Sequence, residues 1–272
     1  MAEKAKKPKV VGGKSTAGAA TTAQAEPPHK AREEKQLSAA MEYCSHHVKE
    51  FMSDSQKAHT YNKCGKTLME KNGDYHGAIE CFNEAVNCNP IVATYTLRAA
   101  AHKSLNKWTE AYFDYSFAIR LEPEVASHFC HRGMCLTKLK RIPLAVEDMD
   151  QACALEAIPL HFYSRGTVLA DSNQNEAAMA DFTRALAQTG LIAYDMKLRA
   201  YYRRALAAFE LGRYDECLKD LSILLQMDPN SAPPRALMGR AFKMKEDLKR
   251  AEEQLTIVIE LEPGQPSHYI ER

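Results

Sequence analysis

The alternation of apolar and polar positions becomes helical near residue 31. Leu37, Met41, Cys44, Val48 and Phe51 recur at spacings of 4, 3, 4 and 3, which puts one apolar stripe on one helix face. The stretch 31–56 is therefore expected to be an amphipathic helix capping whatever follows. Beyond it a longer period is superimposed on the helical one. Ala78, Ala111, Ala145, Ala178, Cys217 and Ala251 fall 33, 34, 33, 39 and 34 residues apart. Four residues after each stands a large side chain: Phe82, Tyr115, Met149, Phe182, Leu221 and Leu255. Three further on stand Ala85, Ala118, Ala152, Ala185, Leu224 and Val258. Upstream of each comes a second helical pattern with its own small residue, namely Gly65, Ala99, Gly133, Gly166, Ala205 and Gly239. Pro90, Pro123, Pro229 and Pro263 close four of the six units, where proline cannot continue a helix.

A small residue on each of two helices lets their backbones approach, and the large side chain fills the space beside them. One such hairpin cannot bury its apolar face alone, so stacked neighbours must supply the core. Gly73-Asp74-Tyr75 with Ala78, Phe82, Ala85 and Pro90 resembles the tetratricopeptide repeat (TPR), as does Gly212-Arg213-Tyr214 with Cys217, Leu221 and Pro229. The resemblance covers about 57–263 in six units: 57–90, 91–123, 124–157, 158–190, 198–229 and 230–263. It implies an all-α fold, a right-handed α-α solenoid of helix hairpins. Unit one carries an extra residue in its first helix, units three and four lack the closing proline, and the connection around 188–197 is about five residues long for its place. Residues 264–272 read as the start of an incomplete seventh repeat, with Tyr269 and Arg272 in register with earlier units, so the array of the natural protein is expected to run on.

Just before the small residue the four central units place Arg98, Arg132, Arg165 and Arg204. Sixteen positions later each has an aspartate: Asp114, Asp148, Asp181 and Asp220. An arginine fork and a carboxylate at the seam of a hairpin are expected to form a bidentate pair that satisfies both charges as they lose water. In the end units both members change together, to Cys64 with Cys81 and to Met238 with Gln254. A device written four times along a rod is architecture rather than catalysis.

Composition narrows the function further. A formal net charge of +1 provides no global field drawing the chain to nucleic acid or membrane. No apolar run approaches the roughly 20 residues of a membrane helix, and the N-terminus lacks the apolar core of a signal peptide. The expected place is the cytoplasm, with cilium or cytoskeleton as alternatives. Residues 1–30 open with Lys4, Lys6, Lys7 and Lys9, turn Gly/Ala/Thr-rich and end on Pro27-Pro28, the composition of a disordered basic arm. The eight cysteines form no C-x-x-C pair and are expected to act as small buried hydrophobes. His128, Cys130, His131 and Cys135 crowd one helix start, but one helix cannot converge the four ligands of structural zinc. Gly12-Gly13-Lys14-Ser15 has only the tail of a phosphate loop. No cofactor, no metal and no enzyme activity are expected.

In the TPR family the first helix of each unit lines a concave groove. By that resemblance the inward positions are Asn62, Lys63 and Lys66 in unit one, Leu97 and Lys103 in unit two, and His131 and Lys138 in unit three. Tyr163 follows in unit four, then Arg199, Tyr202, Arg203 and Phe209 in unit five, and Arg240 and Lys243 in unit six. Eight of these fourteen are basic, a surface suited to an acidic or apolar-anchored protein segment. Some family members clamp a C-terminal carboxylate; the matching Asn62, Lys66, Leu97, Ser127 and His131 do not reproduce that pattern. The expected function is a non-catalytic interaction adaptor, with a static subunit of a large ciliary or cytoskeletal assembly as the alternative.

Overall fold

A computed structural model describes residues 42, 44, 46–188, 190 and 192–264. Among the described residues it contains no strand, and from Asp54 onward twelve helices form six consecutive hairpins. These are α1 (Asp54–Thr67) with α2 (Tyr75–Cys88), α3 (Val92–Ser104) with α4 (Trp108–Leu121), and α5 (Ala126–Lys138) with α6 (Ile142–Leu155). They continue as α7 (Pro159–Asp171) with α8 (Asn175–Ala187), α9 (Tyr194–Glu210) with α10 (Tyr214–Met227), and α11 (Ala232–Met244) with α12 (Leu248–Leu261). Each helix packs on its hairpin partner, and the second helix of each hairpin packs on the first helix of the next. First helices also touch first helices, α1 with α3, α5 with α7, α7 with α9 and α9 with α11. They therefore line one continuous face of the solenoid.

The small-and-large pairing predicted from sequence has a steric basis. A Cβ built on Gly65 would stand 2.6 Å from Cε1 of Phe82 and 3.1 Å from the Ala78 carbonyl oxygen, so α1 and α2 approach more closely than alanine permits without movement. Phe82, Met149, Phe182 and Leu221 are fully buried beside these contacts.

The helix expected over 31–56 stops short. Glu42 and Cys44 are helical, but 46–52 is turn and irregular chain. Ser53 then opens α1 with a capping box, its side chain accepting from the Gln56 N–H while Gln56 reaches back to the Ser53 N–H. That reciprocal cap fixes a new helix start, so the preceding chain turns, and Phe51, expected on the buried stripe, is 88% exposed. Residues 31–41, the basic arm and 265–272 lie outside the described residues.

The two irregularities in spacing have structural outlets. The extra residue of unit one is absorbed by a π-helical turn at Leu68–Asn72, where Asp74 N–H donates to Leu68 O at 3.0 Å. The longer connection before unit five becomes in part an additional first turn of α9, which has 17 residues against the 13 of α7. Tyr194 in that turn donates its hydroxyl to Met227 O at 2.8 Å, tying it to the end of α10.

All six hairpin turns contain one left-handed residue at the same place. Units one and five use Gly73 and Gly212, units two and four use Asn106 and Asn173, but units three and six use Lys140 at φ 60° and Glu246 at φ 62°. A β-carbon in this region costs about 1–2 kcal/mol, partly offset by the greater freedom of glycine in the unfolded chain. Lys140→Gly and Glu246→Gly are each expected to stabilise the array by about 0.5–1 kcal/mol. Chemical denaturation of each variant against the parent measures this; a loss of stability would refute it.

Candidate functional site

The positions of the groove side chains depend on what holds successive first helices in register. Each central arginine reaches its aspartate with two nitrogens. Arg98 Nε and Nη2 donate to Asp114 at 3.0 and 2.6 Å, and Arg132 to Asp148 at 2.8 and 2.6 Å. Arg165 donates to Asp181 at 2.6 and 2.7 Å, and Arg204 to Asp220 at 2.7 and 2.7 Å. All four aspartates are buried. The hydrogen bonds and charge of Asp148, Asp181 and Asp220 raise the pKa of Arg132, Arg165 and Arg204, against the opposing effect of burial. Three residues before each arginine an aromatic ring lies beneath the guanidinium: Tyr95, Phe129, Phe162 and Tyr201, at 5.6 to 5.8 Å.

The third nitrogen does something sequence reading did not find. It crosses to the second helix of the preceding unit, where it donates to Asn83 (2.9 Å), Ser116 (3.4 Å), Asp150 (2.8 Å) and Thr183 (2.9 Å) respectively. Each arginine thus joins three helices from two units. The signal was present: two positions past every aspartate, or its counterpart Cys81, a polar side chain recurs as Asn83, Ser116, Asp150, Thr183 and Ser222. Unit six replaces the device. Arg235 stands where the aromatic would, and donates to Gln254 Oε1 at 3.2 Å and to Pro229 O.

Along the first helices, Asn62 is half-buried and donates to Thr94 Oγ1 at 2.8 Å, while its Oδ1 is buried without a partner. Lys63 is exposed, and the exposed Lys66 faces Glu70 at 3.7 Å. Leu97 packs against the first core cluster. Lys103 Nζ lies over Tyr115, whose ring also meets His131 at 5.3 Å, and Lys138 lies over Trp108. Arg240 lies over Phe209 at 4.9 Å, and both line a second cavity with Lys243, Met244 and Leu255.

A cavity of about 330 Å³ lies where α7, α9, α10 and α11 meet, lined by Tyr163, Leu198, Arg199, Tyr202, Arg203, Leu224, Asp228 and Pro234 among others. Four residues singled out from sequence converge there. Their charges are not equivalent. Arg203 is already paired with Asp171 at 3.3 Å, whereas among the described residues Arg199 bonds only the Asp195 backbone carbonyl, at 3.2 Å. The cavity wall is built from the in-register start of α9, Leu198 and Arg199, the end of α10, and the Pro233-Pro234 pair opening α11.

Burial lowers the pKa of His102 and His131 below the usual histidine range, with Lys103 adding to the effect at His131. Both are then neutral in the folded chain, while in the unfolded chain they take up protons near pH 6.5. Below that pH the unfolded state binds more protons, so stability falls as pH drops through about 6.5 towards the lower folded values. Melting is therefore expected at a lower temperature at pH 5.5 than at pH 7.5, with a smaller difference in His102→Gln. An equal pH dependence in parent and variant would remove His102 from the account.

Among the described residues, no group of three or more histidine, cysteine or acidic side chains is placed to hold a metal, and no helix is long and apolar enough to cross a membrane.

Residues 198–231 match the family model described as tetratricopeptide repeat. The chain is 31% identical over 111 residues to the mitochondrial import receptor subunit TOM70 of Rattus norvegicus, covering 39% of this chain and 18% of the receptor, so it spans less than a fifth of that relative. YrrB, a TPR protein described with an unusual peptide-binding site, superposes with a TM-score of 0.59 at 22% identity, over 71% of this chain and 97% of YrrB. The APC/C hetero-tetramer Cut9-Hcn1 superposes with a TM-score of 0.63 at 19% identity, over 89% of this chain and 46% of its own. Stacked hairpins, the matched residues 198–231 and the structural neighbours agree on the fold, an α-α solenoid of tetratricopeptide-repeat hairpins.

Proposed function

We propose that this chain is a non-catalytic adaptor whose first-helix face binds a segment of another protein, with the α7–α9–α11 cavity as its main anchor point. One observation carries the reading: a cavity walled by Tyr163, Tyr202, Leu198 and Pro234, with Asp228 also in its wall, has Arg199 at its side, which among the described residues bonds a backbone carbonyl and no carboxylate. Such a site takes an apolar side chain and pairs an adjacent carboxylate with the guanidinium. Lys103, Lys138, Arg240 and Lys243 extend the positive character along the same face. The partner is therefore a protein segment with an apolar anchor and acidic flanks, not a nucleic acid or a membrane, and the setting is cytoplasmic.

A second reading rests on a different surface. Phe113 and Leu121 on α4 are more than half exposed and Phe117 lies between them on the same side of the helix, away from the first-helix face. In a static subunit of a larger ciliary or cytoskeletal assembly this stripe would be the contact.

Selection of binders from a displayed random peptide library separates the two. The expected winners pair an aromatic or aliphatic residue with aspartate or glutamate. Arg199→Glu should weaken them about tenfold, which corresponds to 1.4 kcal/mol, and Arg203→Glu less, because Asp171 already holds that charge. Peptides that bind the Arg199→Glu, Arg203→Glu variant as well as the parent would discard the groove reading. Loss of binding on Phe113→Ser with Leu121→Ser would favour the second.

A further inference from the structure

We infer that Cys44 and Cys81 form a regulatory disulfide that fastens the chain before Ser53 to the first hairpin. The central units join three helices at each seam through arginine, aspartate and a polar residue of the preceding unit. Unit one has Cys64 and Cys81 in the arginine and aspartate positions, and a third thiol, Cys44, meets them from the preceding segment. Cys44 Sγ stands 2.6 Å from Cys81 Sγ, and both residues are fully buried in one cluster with Cys64, Leu68 and Phe82. The sequence separation of 37 residues means that a bond here closes a substantial loop. Nothing in the repeat architecture calls for cysteine at these places, since a seam without the charge pair can be built from methionine and glutamine, as unit six shows.

Burial and neighbouring thiols hold Cys44 and Cys64 well above the ordinary thiol range, Cys64 at about 12, so the closed cluster resists oxidation. The segment 46–52 has no helix of its own and is largely exposed, and its opening bares the thiols. Hydrogen peroxide then converts one thiolate to a sulfenic acid: a S–O bond forms, the peroxide O–O bond breaks, and hydroxide leaves to become water. On closing, the second thiolate attacks that sulfur, the S–S bond forms, the S–O bond breaks, and the departing hydroxide takes a proton. Two thiols and one peroxide become one disulfide and two waters. Oxidation therefore fixes the N-terminal segment in place, and reduction releases it.

The test uses the full chain treated with dilute hydrogen peroxide. Thiols titrated in denaturant should fall from the eight of the sequence to six, and dithiothreitol should restore eight. Non-reducing mapping with trypsin and Glu-C, which cuts at Glu84 and so separates Cys81 from Cys88, should show one crosslinked pair, the peptides carrying Cys44 and Cys81. Oxidation should also raise the first melting transition of the parent by several degrees, and leave that of Cys44→Ser unchanged. Cys44 lies outside the hairpin, so this variant is the one expected to keep its fold, checked by circular dichroism. Eight titratable thiols after treatment, a crosslink through any other cysteine, or an oxidised parent that melts as the reduced one does would each overturn the assignment.

Discussion

Arg165→Ala is expected to destabilise the array by about 3–5 kcal/mol, the usual result of removing one partner from a buried ion pair. Asp181 is almost fully buried and receives both Nε and Nη2 of Arg165, so the variant leaves a carboxylate in the seam with only the exposed Arg184 to satisfy it. It also frees Asp150 on the preceding unit. Asp181→Ala is expected to cost less, because Arg165 keeps its ion pair with Asp150 at 2.8 Å beside Phe162. The double variant should cost less than the sum, with a coupling of about 1–3 kcal/mol. Equilibrium denaturation of the four proteins gives the cycle. Zero coupling would show that the two side chains stabilise the fold independently, contrary to the geometry.

An effect of similar size, with a change of sign built in, is expected at Gly166 and Phe182. Phe182 is fully buried, and a Cβ on Gly166 would stand 2.9 Å from its Cε1. Phe182→Ala should cost about 3–5 kcal/mol through lost burial and the cavity left behind. Gly166→Ala in the parent should cost about 1–3 kcal/mol, because the ring has no free space to yield into. In the Phe182→Ala background that clash is gone. The better helix propensity of alanine, about 1 kcal/mol over glycine, then makes Gly166→Ala stabilising. Denaturation midpoints of the two singles and the double decide it. A Gly166→Ala penalty that persists without the ring would mean that helix approach, not the aromatic, sets the limit at this seam.

The residues that made the fold legible are those whose spacing is enforced by contact. Ala78, Phe82 and Ala85 recur because each hairpin must close on the same geometry, and the arginine–aspartate spacing of sixteen recurs because one turn of α3 faces one turn of α4. Features off the repeat register were harder to read. Phe51 continues a helical stripe in sequence, yet the Ser53–Gln56 cap starts a new helix and leaves it in solvent. The cavity has Pro233-Pro234 in its wall, a pair that no other unit repeats at the start of its first helix. Arg199 and Arg203 looked equivalent at four-residue spacing, and only the position of Asp171 on the neighbouring helix separates them. The polar third partner of each arginine was visible as a recurring residue type, but its role requires knowing which helix of the preceding unit lies alongside.

The absence of that charged latch from unit six has a mechanical consequence. The four seams between units one and five are each crossed by a guanidinium paired with an aspartate and with a polar side chain of the preceding unit, whereas the last seam is crossed by Arg235, on Gln254 and the Pro229 carbonyl, and by the Lys245–Asp215 ion pair. In a one-dimensional stack each repeat touches only its neighbours, so unit six is joined to the array through this differently built seam alone. The cavity straddles that joint, with Arg199 and Tyr202 on unit five and Pro233 and Pro234 on unit six. Its shape is thus set by how the last unit seats on the fifth, at the one seam among the described units that lacks the arginine–aspartate pair.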